Sequence, residues 1–255
     1  MEPFLQVRER DLVGRRGQFI AEGEVVLRHL LASSLCEPLA LLAAGDRVAR
    51  LMELIGDGEG ELAAPIYVAE QAVMDAIVGF PIHRGLLGLG RRRATPAARE
   101  LLSGLGPDAL VAVVHGIGNH DNMGGLLRNA AAFGVDAVLL DASCCDPLYR
   151  KAIRVSVGAA LITPFARLEP ADDAIDLLHD MGFKAVALTP SGAQDLRDYV
   201  RTRMTAVIFG AEGPGLPLDL LARCETVRIP MAGGFDSLNV ATTSGIVLHH
   251  LTGGD

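Results

Sequence analysis

The sequence predicts an α/β protein with a mainly parallel sheet covered on both faces, preceded by a small α/β domain. Three observations carry this. Short apolar runs alternate with helical segments through the second half, as a parallel sheet with crossover helices requires. Glycine-rich turns follow directly on several of those runs. A chain of 255 residues, 50% hydrophobic and 21% charged, suffices for one large or two modest domains and excludes a disordered polymer.

In the first hundred residues EVVLRHLLASS, DRVARLMELI and EQAVMDAIVGF follow a helical period, while PLALLA and PIYVA read as strands. The stretch RRRATPAARELLSGLGP joins a basic run to two prolines and two glycines and marks a hinge. It divides the chain into domains at 1–105 and 106–255. Beyond it ALVAVVHG is a buried strand and MGGLLRNAAAF a helix, and DAVLLD, TPFARL, KAVALTP, TAVIFG and TVRIP are further strands.

Charge and composition narrow the function. A net charge of -8 argues against a protein that coats nucleic acid by bulk attraction. Residues 1–105 carry 12 basic against 14 acidic groups and the rest 11 against 17, so the amino-terminal part is the better anion binder. Aromatic residues make up only 4% of the chain, which leaves few stacking platforms for unpaired bases. Cys36, Cys144, Cys145 and Cys224 lack the CxxC spacing of a zinc site and read as reduced thiols; no metal is expected. The opening MEPFLQVRERDLVGRRGQF has no leader-like apolar run, and no segment approaches the ~18 apolar residues of a membrane span, so a cytoplasmic protein is expected.

Ligands of parallel sheets bind beyond the carboxyl ends of strands, which directs attention to three segments. HGIGNHDNMGGLLRNAAAFG opens a helix after a strand, with Asn122 in the place of an N-cap and Arg128 one turn past Gly124. FGAEGPGLP forms a rigid turn that contains Glu212. VRIPMAGGFDSLNVATTSGIVLHHL runs from a strand through a glycine-rich loop to a helix opened by Asp236 or Ser237. Asn239 then falls in its first turn, where a mediocre helix former has little intrinsic reason to be. Gly116 and Gly118 after a strand, with Asp141 ending the next one, also sketch a dinucleotide fingerprint, and hence a Rossmann-type oxidoreductase; its third glycine is replaced by Asp121.

Together the three segments resemble the motifs of the SpoU (TrmH) family of RNA ribose methyltransferases, of the SPOUT class. The first motif appears as Asn122, Gly124, Arg128 and Ala130, followed by Phe133 and Gly134; the second is FGAEGPGL and the third IPMAGGFDSLNVATT. The resemblance covers about residues 108–251. More loosely, QFIAEGEVVLRHLLAS and HRGLLGLG resemble the family's ribosomal-protein-like substrate-binding domain. Ala211 stands where the family often has Asn, and Asp236 where it often has Glu.

The resemblance implies a carboxy-terminal trefoil knot, a homodimer, and methyl transfer from S-adenosylmethionine to a ribose 2′-hydroxyl of structured RNA. The extra domain points to ribosomal rather than transfer RNA. The cofactor would rest on Thr189, Gly210, Ile229, Met231 and Leu238. Arg128 would stand beside the acceptor. A guanidinium is a poor proton acceptor, so a grip on the neighbouring phosphate and on developing alkoxide charge suits it better than the role of base. Asn122, Ser237 and Asn239 would position the ribose or Arg128, and Glu212 the arginine or its loop. RNA contact would be confined to a patch of Arg15, Arg16, Arg84, Arg91, Arg92 and Arg93. The alternative within this fold is an RNA-binding protein that has lost the chemistry.

Overall fold

A computed structural model describes Phe4 and residues 17–56, 62–78, 85–170, 173–211, 213, 215–233, 235 and 237–253. The chain divides into two compact units. One comprises Met1–Ala94 with Asp146–Ile162, and the other Thr95–Cys145 with Thr163–Asp255.

The first unit is built on β1 (Gln18–Glu22), α1 (Glu24–Ala32), β2 (Cys36–Ala44), α2 (Val48–Gly56), β3 (Ile66–Ala69), α3 (Gln71–Val78) and β4 (Leu86–Arg92). Its sheet has the order β1-β4-β2-β3, with β4 antiparallel to both neighbours and β2 parallel to β3. Phe4, Ile20, Ala40, Leu42, Met74, Leu87 and Leu89 fill a core. The Phe4 ring meets Tyr67 edge-on at 6.4 Å.

The second unit contains α4 (Ala98–Ser103), β5 (Leu110–His115), α5 (His120–Ala132) and β6 (Ala137–Leu140). After α6 (Arg150–Val155), which belongs to the first unit, it continues with β7 (Phe165–Arg167), α7 (Ala174–Asp180), β8 (Lys184–Leu188) and β9 (Gln194–Asp195). β10 (Thr205–Gly210), α8 (Leu218–Leu221), β11 (Glu225–Arg228) and α9 (Val240–Thr252) complete it. Seven strands form one sheet in the order β7-β6-β5-β10-β8-β11-β9, every pair parallel. The parallel sheet expected from the alternating runs is therefore present. β5, β6 and β10 are apolar at nearly every position because side chains on both faces are covered.

Alternate residues of four adjacent strands make one core: Val111 and Val113, Ala137 and Leu139, Ala185 and Ala187, Ala206 and Ile208. Ala98 and Leu102 of α4 and Ile175, Leu177 and Leu178 of α7 close over it. The same alternation, continued to the strand ends, brings His115, Asp141, Thr189 and Gly210 to that side at the carboxyl edge.

Segment Asp146–Ile162 is bound into the first unit by named contacts. Arg150 Nη2 donates to Glu22 Oε2 at 2.8 Å, His29 Nδ1 lies 3.0 Å from Val157 O, and Ser33 Oγ donates to Leu161 O at 2.6 Å. Glu22 is buried, so the guanidinium supplies the countercharge a buried carboxylate needs. Among the described residues no helix is long and apolar enough to cross a membrane.

Candidate active site

Three neighbouring strands end together. Ala187 of β8 lies level with Ile208 of β10 and Thr226 of β11. Two residues on, the register sets Thr189 between Gly210 and Arg228, with Ile229 next along the chain. Thr189, Gly210, Ile229 and Met231 are half-buried, whereas Leu238 and Ser237 are exposed. The 189–193 loop is bound to β11: Thr189 N donates to Val227 O at 3.0 Å, Ala193 N to Thr226 Oγ1 at 3.1 Å, and Arg228 Nη1 to Gly192 O at 2.8 Å. Gly192 permits this approach, since a Cβ there would stand 2.4 Å from the Val227 carbonyl carbon. After β10 the chain turns back on itself, with Gly215 N donating to Ala211 O at 3.2 Å. Glu212, inside that turn, lies outside the described residues.

The first and third motifs meet through α5 and α9, which lie side by side in the same direction. Asn122 contacts Asn239, Gly125 contacts Ala241, Asn129 contacts Ser244 and Gly245, and Phe133 meets His249 edge-on at 5.7 Å. Asn122, Gly125 and Asn129 recur on one stripe of α5, as facing residues of a helix must. A Cβ on Gly125 would come within 2.6 Å of the Ala241 Cβ, so the crossing has no room for a larger residue. Asn129 Nδ2 donates to Ala241 O at 2.7 Å and to the fully buried Ser244 Oγ at 2.9 Å. The sequence reading did not single out Asn129. Its signal was its place seven residues after Asn122, two turns along the same face.

Two capping expectations are corrected. Asn119 caps α5, its side chain accepting from Asp121 N at 2.8 Å, and Asn122 lies inside the first turn, buried. Asn239, rather than Asp236 or Ser237, caps α9: its Oδ1 accepts from Ala241 N at 2.9 Å and Thr242 N at 3.3 Å. With Oδ1 so used, Nδ2 is left to donate to Asn122 Oδ1 at 2.8 Å. One asparagine thus both starts a helix and ties it to another. Asn239→Ala removes cap and tie together, and a fall of about 1–2 kcal/mol in unfolding free energy is expected by denaturant titration.

Arg128 is exposed on α5 and makes no hydrogen bond or ion pair with the described residues. In the first unit, Arg91 donates through Nε and Nη2 to Glu37 Oε1, and Arg93 approaches Glu37 Oε2 at 3.9 Å. One carboxylate therefore offsets part of that basic run. Arg92 points the other way along the strand, and burial lowers its pKa to about 10. Arg15, Arg16 and Arg84 lie outside the described residues, as does Asp236.

Asp141 is fully occupied by its own surroundings. Oδ1 accepts from Ser143 N, Ser143 Oγ and Cys144 N, and Oδ2 accepts from Gly116 N and lies 2.8 Å from His115 Nδ1. Burial opposes its ionisation, but bonds from Ser143 and Cys144, the adjacent His115 ring and the Gly116 amide together hold its pKa below the usual range. A carboxylate so engaged does not offer itself to a ribose, which removes the support for the dinucleotide fingerprint. With a depressed folded-state pKa, its stabilisation is present above the ordinary carboxylate range and lost as pH falls through the folded value. Asp141→Asn should accordingly cost about 1–3 kcal/mol at neutral pH, and wild type and variant should converge on acid titration followed by circular dichroism.

All four cysteines are free thiols. Burial, reinforced by the neighbouring Asp141 charge, pushes Cys144 up to about 12. Among the described residues no group of three or more His, Cys, Asp or Glu side chains is placed to hold a metal ion.

A seven-stranded parallel sheet with motif segments at its carboxyl edge defines an α/β protein that binds its ligands there, and comparison with known proteins gives the family. The SpoU rRNA Methylase family model matches residues 109–249, and the chain belongs to that family of tRNA/rRNA methyltransferases. An uncharacterised tRNA/rRNA methyltransferase of Mycobacterium bovis is 39% identical over 251 residues, 96% of this chain and 84% of that protein. The 23S rRNA (guanosine-2'-O-)-methyltransferase RlmB of Vibrio parahaemolyticus is 32% identical over 140 residues, 54% of this chain and 57% of its own length. Among solved structures, the AdoMet-bound rRNA methyltransferase of Sinorhizobium meliloti superposes with a TM-score of 0.75 at 25% identity, covering 95% of this chain and 91% of that one. The SpoU methyltransferase AviRb of Streptomyces viridochromogenes shares the fold, with a TM-score of 0.81 at 19% identity, covering 98% and 94%. Family membership displaces the oxidoreductase alternative.

Proposed function

We propose that this protein transfers the methyl group of S-adenosylmethionine to a ribose 2′-hydroxyl of ribosomal RNA, acting as a homodimer in the cytoplasm. The observation that carries the reading is the Asn122–Asn239 hydrogen bond, which joins the first and third motifs. The relatives named above support the cofactor and the ribose target, and the separate first unit supports a large structured RNA. The reading includes the knot, for which the late insertion of β10 between β5 and β8 speaks.

The residues present fit the cofactor. The half-buried Ile229 and Met231, with Leu238, offer apolar surface to a purine, and the strand ends at Thr189 and Gly210 offer backbone donors and acceptors. When bound, the cofactor supplies a methyl group already activated by its sulfonium. The protein then has to align the hydroxyl with that methyl and help its proton leave. Arg128, exposed and without a described partner, holds the phosphate beside the target and stabilises charge growing on the oxygen. Asn122 and Asn239, with Ser237, fix the sugar. Glu212 orients the arginine or its turn.

Arg91 and Arg93, with Arg15, Arg16, Arg84 and Arg92, bind the RNA backbone. Incubating the protein with radiolabelled S-adenosylmethionine and separated ribosomal and transfer RNA, then digesting to nucleosides, tests this. A 2′-O-methylated nucleoside from ribosomal RNA is expected. Label on a base refutes ribose transfer, label in transfer RNA alone refutes the substrate class, and RNA binding without transfer identifies a non-catalytic relative.

A further inference from the structure

We infer that Arg228 is a positioning residue for the cofactor: its guanidinium, paired with Asp195, latches the 189–193 loop to β11 and so sets the width of the slot between Thr189 and Ile229. This rests on the cofactor edge proposed above and adds the group that holds it in shape.

The chain reverses as soon as it leaves β8, with Gly192 N donating to Thr189 O at 3.0 Å. Both ends of the loop are bound to β11, through Thr189 N to Val227 O at 3.0 Å and Ala193 N to Thr226 Oγ1 at 3.1 Å. Between them stands the carbonyl of Gly192, a buried residue, and Arg228 Nη1 donates to it at 2.8 Å. A buried carbonyl needs a donor, so this side chain and the loop hold each other.

The guanidinium is itself held. Asp195 of β9 is paired in register with Arg228, and its Oδ1 lies 2.6 Å from Arg228 Nε. With Nε turned to Asp195, the planar fork turns Nη1 to Gly192, two directions that the point charge of a lysine does not serve at once. The two charges also cancel, so the latch adds no net charge to an edge that receives a sulfonium. The Arg228 side chain is 43% exposed, and an ion pair so placed contributes little to stability. Its effect is geometric.

Arg228 stands where the two walls of the slot meet. The residue after it is Ile229, and its side chain grips the loop that begins at Thr189. Releasing the loop moves one wall while β11 keeps the other in place. A gap of about 0.5–1 Å already forfeits roughly a quarter to a half of the dispersion attraction across it, which a purine between apolar side chains depends on.

The test is calorimetric titration with S-adenosylhomocysteine, with wild type measured first. Arg228→Ala should bind roughly tenfold or more weakly, as the loss of one charge-assisted hydrogen bond implies. The KM for S-adenosylmethionine should rise in proportion, with kcat at saturating cofactor and the KM for ribosomal RNA unchanged. Arg228→Lys, which keeps the charge and one donor, should fall between. Asp195→Asn should weaken binding on its own and add nothing to Arg228→Ala, because it acts through the guanidinium. Without any ligand, the amide hydrogens of Thr189 and Gly192 should exchange faster in Arg228→Ala than in wild type.

Wild-type affinity in Arg228→Ala, a loss carried by kcat or by the RNA KM instead, or additive effects of the two substitutions overturns the inference. If Arg228→Ala does not fold, wild-type affinity in both Arg228→Lys and Asp195→Asn overturns it. A wild type that binds no S-adenosylhomocysteine overturns the cofactor edge, and this inference with it. One that binds it but methylates no ribose overturns the proposed reaction alone, and the titrations still judge Arg228.

Discussion

Arg128→Lys is expected to lower methyl transfer by roughly 10²- to 10³-fold while leaving the unfolding free energy within about 0.5 kcal/mol of wild type. Both halves follow from position. The side chain is exposed and makes no bond to the described residues, so folding has nothing of it to lose. Lysine keeps the charge but presents a point donor in place of a planar fork, and so loses the two parallel bonds to a phosphate. Steady-state kinetics with saturating cofactor reads the first quantity and urea unfolding the second. Near-normal turnover would contradict the phosphate grip. A large stability loss would mean that Arg128 is a structural residue.

Gly192→Ala should be the most damaging single-methyl substitution at the strand ends proposed to hold the cofactor. The added carbon would meet the Val227 carbonyl carbon at 2.4 Å and the Arg228 amide nitrogen at 2.6 Å, both backbone atoms of β11 that have little freedom to move. Overpacking of this kind costs about 1–3 kcal/mol. Relief requires the 189–193 loop to lift, breaking the bond from Thr189 N to Val227 O and displacing Thr189. Calorimetric titration with S-adenosylhomocysteine should then show at least tenfold weaker binding. Unchanged affinity in a destabilised variant would detach Thr189 from the cofactor. Gly125→Ala makes the corresponding collision with Ala241 in the α5–α9 crossing, and it serves as the comparison in which transfer rather than cofactor affinity should fail.

The sequence made the strands of the second half legible because a buried parallel strand leaves an unbroken apolar run, and β5, β6, β8 and β10 are such runs. β9, two residues long, leaves no periodic trace. Strand order was not legible: both-face burial gives every interior strand the same pattern, so nothing in TAVIFG says that it enters between β5 and β8. Nor could local pattern choose among capping asparagines. Asn119, Asn122 and Asn239 share one chemistry, and which of them caps is set by where the chain leaves its preceding loop. The charge run Arg91–Arg93 was legible as charge but not as partnership, since Glu37 lies 54 residues from Arg91 in sequence. The meeting of the motifs was legible only through family resemblance, and the Asn122–Asn239 bond joins the first of them to the third.

The central place of β10 also bears on how the molecule comes into being. Its flanking neighbours are synthesised well before it, and both must wait with an unsatisfied edge for residues 205–210 to arrive. A growing chain halted before that point holds the β7-β6-β5 half-sheet and a β8 with no strand on either side, since β11 also follows β10, and the contacts still to be closed are distant in sequence and therefore slow to form. Competence consequently waits for β10 and then for β11 and α9, and the waiting edges are where a chaperone would be needed most.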